Sequence, residues 1–332
     1  PLKHEFKLDL LYFLGMIFAV VLIRDLWVGQ SHVKTIPYSE FRSLLTGPDA
    51  PAAVALLDDA AKAAKVYDRI ESYGADTVDG RFRYRVIEAM ETTTVMPLLL
   101  WLYARLDQGL TRPQLEVALE SLERYLVRRM ITGASTKPYN RLFLDLLQHL
   151  EQQGPANAGD EVQKFLAAQT AATTSPATDD QVRTAIRTRP LFTSLKRSRV
   201  RLLLEALEED ARSHHAEIDQ CPKGLTIEHV LPQNWSLWPL PEAIDPVAGD
   251  ARRAMLVHTL GNLTLATKTL NPKLSNFPWN ADAVVAAGLP PDHDGVHKGK
   301  RDLLQEHTTL RLNLDLTSQH PTHWSEEDIE QR

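Results

Sequence analysis

A single cysteine, Cys221, stands in a chain of 332 residues. That excludes a disulfide framework and any zinc site built from several thiolates. It also suits a reducing compartment, so a cytoplasmic setting is expected. Long apolar runs are scarce. The run from Leu10 to Ile23 covers 14 residues, too few to cross roughly 30 Å of hydrocarbon as a helix, and no small-residue cleavage site follows it as in a signal peptide. A buried helix and no membrane partner are the expectation there. An excess of positive charge is missing too: the formal net charge is -6, which argues against a protein that coats nucleic acid indiscriminately. The first residue is Pro1 rather than Met, which suggests a fragment or a processed product whose N-terminal partner domain lies elsewhere.

What is present is ample apolar material, 43% of the residues, in a length at which one core tends to split into two. The pattern predicts a mainly α protein with a small α+β part. Residues 1–212 read as a helical domain, with helices over Tyr38 to Leu45, Ala52 to Tyr73, Arg141 to Leu150 and Glu161 to Ala168. Pro97 is expected to kink or divide the apolar segment Arg81 to Asp107. Thr111 and Pro113 open a helix with Leu115, Leu119, Leu122 and Leu126 at core spacing, and Gly133 closes it. Arg128-Arg129 at its end either balance the helix dipole or bind nucleic acid or a neighbouring domain.

Beyond position 213 the composition changes, since nine of the twelve histidines lie there; a second domain is expected over 213–332. Just before it, Gln181 to Leu204 holds seven basic residues and no acidic one: Arg183, Arg187, Arg189, Lys196, Arg197, Arg199 and Arg201. This basic helix, with Leu191, Leu195, Val200, Leu203 and Leu204 toward a core, is the candidate DNA-facing surface. Removal of Arg197 and Arg199 is expected to weaken binding and its salt dependence.

Leu225 to Pro232 reads as a short strand entering a turn. On a regular strand Glu228 and His229 point to opposite faces, so they serve one centre only if the backbone bends, as Pro232 encourages. A polar, proline-rich excursion covers Gln233 to Asp250, a second strand broken by Gly261 covers His258 to Leu265, and Lys268 to Ser275 forms a helix carrying Asn271. Histidine accepts a proton near neutral pH, and a carboxylate with an amide oxygen suits a hard cation. Taken alone, each residue has a plainer reading: a structural histidine, a turn asparagine at Asn262, a helix cap at Asn271, core tryptophans at Trp279 and Trp324. His258, His293 and His297 lack the partners of a zinc site.

The ordered set Glu228-His229 with Pro232, then Leu260-Gly261-Asn262-Leu263-Thr264-Leu265, then Asn271 with Lys273-Leu274-Ser275-Asn276, resembles the C-terminal nuclease domain of the GmrSD-type modification-dependent restriction endonucleases. That domain belongs to the HNH, or ββα-metal, nucleases. The resemblance continues through Lys300-Arg301, Trp324, Ile329 and Arg332, and reaches back to Arg128-Arg129, Gly133, Lys137, Tyr139-Asn140 and Phe143, covering roughly residues 80–332.

The resemblance implies a helical domain followed by an HNH domain that cuts or nicks DNA in anti-phage restriction. It places His229 as general base, Glu228 and Asn271 as metal ligands, Asn262 as the residue that holds the metal loop and orients the histidine, and Lys300 as a positive contact to the phosphate. Mg²⁺ is the implied cofactor, with Mn²⁺ as a substitute. The family's nucleotide-hydrolysing sensor domain, with its Asp-Gly-Gln-Gln-Arg-like motif, is not visible in the sequence, and it is the implied partner besides DNA. A homo-oligomer stays open, as do nicking against double-strand cutting, nucleotide dependence, RNA as substrate, and the modification sensed: glucosylated hydroxymethylcytosine or, in related defence proteins, phosphorothioate. The competing reading is a DNA-binding or protein-interaction module without catalysis.

Overall fold

The computed structural model describes residues 50–106, 108–213, 221–238 and 245–332. The apolar run at 10–23 and the helix expected at 38–45 lie outside the described residues. Among those described, no helix is long and apolar enough to cross a membrane. The described residues are mainly helical with one two-stranded sheet, and they divide into two compact units: those within 50–84, 92–123 and 136–175 form one, those within 85–91, 124–135 and 176–332 the other.

The first unit holds α1 (Ala50–Ser72), α2 (Val78–Phe82), α3 (Met96–Arg105), the start of α4 (Arg112–Thr132), α5 (Tyr139–Gln153) and α6 (Ala158–Ala167). Pro97 sits in the first turn of α3, where its missing N–H costs no hydrogen bond; it divides the apolar segment by starting a helix. Leu98, Leu99 and Leu102 of α3 and Leu142, Phe143, Leu146 and Leu150 of α5 are buried, the i, i+3, i+4 stripe that amphipathic helices turn inward. Buried Asp79 accepts from Tyr103 Oη (2.5 Å) and Arg112 Nη1 (3.0 Å), joining α2, α3 and α4.

The second unit carries the C-terminal part of α4, then α7 (Asp179–Thr188), α8 (Leu191–Ser194), α9 (Arg197–Ser213), β1 (Thr226–His229), α10 (Pro246–Leu256), β2 (Leu263–Ala266), α11 (Asn271–Leu274), α12 (Ala281–Ala286), α13 (Lys300–His307), α14 (Arg311–Gln319) and α15 (Glu326–Gln331). The basic segment is thus three helices. Pro190 disfavours the α region at Arg189, which is extended at φ -85° and ψ 134°, and Leu195 is extended at φ -118° and ψ 156°. α4 ends on Gly133 at φ 75°, and Arg189 lies against it, donating to the carbonyls of Met130 and Ile131.

α9 lies against both strands and α14. Its buried Glu208 accepts the N–H groups of Arg311 and Leu312 at 2.9 Å each and the Arg212 guanidinium at 2.6 Å. A carboxylate on the free N–H groups of α14 is a favourable dipole contact, and it ties α14 to the layer under the hairpin. Val230, Leu231, Leu256, Leu274, Trp279, Leu316, Trp324 and Ile329 form the core of this unit. Trp279 and Trp324 are core residues, with their N–H groups on His320 O and Asn262 Oδ1.

Three segments differ from the sequence reading. The strand expected over His258 to Leu265 is a strand only at β2, with a 3-10 turn at Leu260–Asn262 before it. The excursion at 233–250 ends in α10, whose start is fixed by the Asp245 carboxylate on Val247 N (3.1 Å) and by Pro246 in the first turn. The helix expected over 268–275 is shorter: Thr267 turns the chain through its hydroxyl on Leu270 N (3.2 Å), and Ser275 at φ 38° stops α11 after Leu274.

Candidate active site

β1 and β2 pair antiparallel with Glu228 opposite Thr264 and His229 opposite Leu263. The chain then leaves the sheet: Val230 N donates to Asn262 O (2.9 Å), and the Asn262 side chain takes over the pairing. Asn262 Oδ1 accepts from Leu231 N (2.8 Å) and Trp324 Nε1 (3.2 Å), while Nδ2 donates to Leu231 O (2.8 Å) and Val257 O (2.9 Å). It has no solvent exposure, so the whole hydrogen-bonding capacity of the amide is spent inside the protein. Gly261 precedes it because a Cβ there would meet Ile329 O at 2.1 Å.

Glu228 and His229 are both buried, at 8% and 6% exposure, and meet different neighbours. The Glu228 carboxylate is held by Lys300, whose Nζ lies 2.6 Å from Glu228 Oε1 and 2.6 Å from His229 O. Lys300 opens α13 and is 1% exposed. Burial drives the Glu228 pKa up and the Lys300 pKa down, in each case against the charged form, and the contact between them opposes both shifts. Sequence reasoning found Lys300 but expected it to face a phosphate; the structure turns it onto Glu228.

Asn271 Nδ2 donates to Thr226 Oγ1 and to Ile227 O, 3.0 Å each. Thr226 and Glu228 alternate onto the same face of β1, so the Asn271 amide and the Glu228 carboxylate share that face. The Asn271 amide oxygen and the Glu228 carboxylate, which also takes the His229 backbone N–H, are the oxygens this face could offer a cation. Hard oxygens on one face suit a divalent cation.

The His229 imidazole points to the other side of the strand. Its ring stands at 82° to Phe192 with centroids 4.2 Å apart, and at 82° to His258 at 5.5 Å. Burial, then the neighbouring His258, Lys300 and Arg197, hold the His229 pKa down at about 3, which keeps the ring neutral. His258 is shifted down as well, by burial and then by Arg197.

Apart from Arg197, which neighbours His229 and lies over the Phe192 ring, the basic residues are not gathered at this centre. Arg199 donates to Met90 O (2.6 Å), Arg197 to Phe192 O, Lys196 pairs with Glu91, and Arg201 lies 3.5 Å from Glu205. Arg183 is exposed and pairs within α7 with Asp180 (3.2 Å), and Arg187 is exposed. Arg128 donates to Ala177 O (2.9 Å) and Asp179 (2.5 Å), and buried Arg129 to Ser135 O (3.2 Å), so both hold the fold.

Among the described residues one further group could hold an ion: Asp292, His293 and Asp294, with ligand atoms within 4.8 Å of one another, in the loop before α13. Asp292 already accepts from Asp294 N (3.0 Å) and Val296 N (2.9 Å) and pairs with Lys298 (3.2 Å). The sequence reading sets His293 beside His258 and His297 as zinc-type imidazoles and not beside its two flanking aspartates.

A two-stranded hairpin followed by a short helix, with an imidazole at the end of the first strand, is the arrangement of the ββα class of metal-dependent nucleases. Residues 177–332, just under half of the chain, match the family of GmrSD restriction endonucleases, C-terminal domain, and that similarity supports a metal-dependent nuclease role for this segment. No curated protein and no solved structure matches the chain.

Proposed function

We propose that this domain hydrolyses phosphodiester bonds of DNA, as the effector of a modification-dependent restriction system, with His229 as general base and a Mg²⁺ or Mn²⁺ ion held by Glu228 and Asn271. The observation that carries the reading is the arrangement at β1: a neutral, buried histidine at the strand end, with a carboxylate and an amide on one face of the same strand. A bound cation supplies Lewis-acid stabilisation of the charge that develops on the scissile phosphate.

The chain's own residues do the rest. His229 accepts the proton of the attacking water. Asn262 acts through Leu231 and Val257, fixing the turn from which His229 projects. Lys300 anchors one oxygen of Glu228. Arg183 and Arg187, which face solvent, supply phosphate contacts. We assign the nuclease machinery to 213–332, with α7 to α9 of the same unit as its supporting layer. Recognition of the modification belongs to a nucleotide-hydrolysing sensor domain, and double-strand cutting to a homo-oligomer.

The test is conversion of supercoiled plasmid with Mg²⁺ or Mn²⁺, by the wild type and by His229→Ala. Nicked or linear product from the wild type alone supports the reading; no product, or equal product from both, refutes it. A parallel RNA substrate decides between nucleic acids. The enclosure of His229 favours one second reading, a DNA-binding module without catalysis, which predicts retention of DNA by both proteins and cleavage by neither.

A further inference from the structure

Phe192 is an apolar residue in a basic segment, and nothing in the nuclease chemistry uses it. Its place is nevertheless tightly specified. Its backbone N–H donates to His258 O (3.0 Å), its ring lies parallel to His258 at 4° with centroids 5.6 Å apart, and the Arg197 guanidinium carbon sits 3.3 Å from its centroid. Arg197 also donates to the Phe192 carbonyl. A side chain held from backbone and ring alike is the kind of support that fixes a neighbour.

That neighbour is His229. Of its two ring nitrogens, Nε2 is shut away from solvent with no hydrogen-bond partner. A buried N–H left unpaired costs roughly 1–3 kcal/mol. The Phe192 ring stands perpendicular to the imidazole at 4.2 Å between centroids, closer than the roughly 4.5–7 Å usual for paired aromatic rings. Such an approach is what results when one ring aims its edge at the face of the other. An aromatic face accepts an N–H weakly but directionally.

We propose that Phe192 is a positioning residue for His229: its ring receives Nε2–H and so fixes the neutral imidazole in the tautomer that leaves Nδ1 as the proton acceptor. The proposal rests on the reading of His229 as the base. It assigns α8, a helix of four residues between two breaks, a part in the chemistry: it carries the ring that selects the tautomer. No charge is required of Phe192, and an aromatic substitute should serve in its place.

The test uses the full chain with ¹⁵N-labelled histidine. In wild-type protein the His229 nitrogens should report Nε2–H and an unprotonated Nδ1; the opposite tautomer overturns the proposal, even if no variant folds. Phe192→Leu should give a mixture of tautomers and lower the single-turnover cleavage rate about tenfold, with DNA affinity within twofold. Phe192→Tyr should keep the wild-type tautomer and a rate within about threefold. A Phe192→Leu protein that cuts at the wild-type rate, or a loss seen in affinity alone, overturns the proposal, as does an equal loss in both variants. If His229→Ala cuts normally, the base reading fails, and the tautomer of the wild type and of Phe192→Leu still decides whether Phe192 sets it.

Discussion

Replacing Asn262 by alanine removes four hydrogen bonds from a place with no solvent exposure. Leu231 N, Leu231 O, Val257 O and Trp324 Nε1 all lose their partner. Each buried group left unpaired costs roughly 1–3 kcal/mol when sealed, and water entering the space of the lost amide recovers part of that. About 4 kcal/mol of destabilisation is therefore expected for Asn262→Ala, and by the usual scaling for a unit of this size about 10 °C in Tm. Asn262→Asp should lose at least as much at neutral pH, because its carboxylate would face two carbonyl oxygens and no donor replaces Nδ2. Urea unfolding followed by tryptophan fluorescence measures this directly, since Trp324 is one of the four partners. A variant within 1 kcal/mol of the wild type that had nonetheless lost cleavage would refute the reasoning and put Asn262 in contact with the substrate or the ion.

Lys300→Met should destabilise by about 3–5 kcal/mol, because it leaves the Glu228 carboxylate buried without its partner; Glu228→Gln combined with Lys300→Met should recover part of the loss, and additive losses in a double-mutant cycle would contradict the pairing. For His229, the folded pKa of about 3 lies below the unfolded value of about 6.5, so the unfolded chain binds more protons between them and stability falls as pH drops below about 6.5. The loss between pH 7 and pH 5 is about 2 kcal/mol, and His229→Ala should lack that component in urea titrations at the two pH values. Arg183→Gln and Arg187→Gln should each lower the salt slope of DNA binding by about one and leave stability within 0.5 kcal/mol. Arg199→Gln should instead cost about 1.5–3 kcal/mol of stability through its bond to Met90 O; a salt slope that changed only with Arg199 would reverse the assignment.

The signals that could be read in the sequence are local ones. Glu228-His229 before Pro232 marks a strand end, Gly261-Asn262 a tight turn, and Thr111, Pro113 and Gly133 the limits of α4, because each acts within a few residues. α10 left such a signal as well: Asp245-Pro246 is an N-cap followed by a first-turn proline, hidden in a stretch that reads as loop. What the sequence does not carry is pairing across distance. Lys300 lies 72 residues from Glu228, and a lysine in a basic loop looks solvated until α13 is docked. The basic charge of 183–201 looks like one surface until Pro190 and Leu195 break it. Arg189 and Arg199 then turn onto backbone carbonyls, and Arg183 and Arg187 stay outside. Phe192 gives no sign at all, since its meaning depends on the ring it touches.

The central claim is that His229 takes the proton from the attacking water, and chemical rescue tests it most directly. Single-turnover cleavage of plasmid by His229→Ala is measured with and without free imidazole at constant pH and metal concentration, beside the wild type and with DNA binding checked for each. His229→Ala should bind DNA and be inactive, imidazole should restore part of the rate with saturation, and the wild type should not respond. Cleavage by His229→Ala without imidazole would contradict the claim.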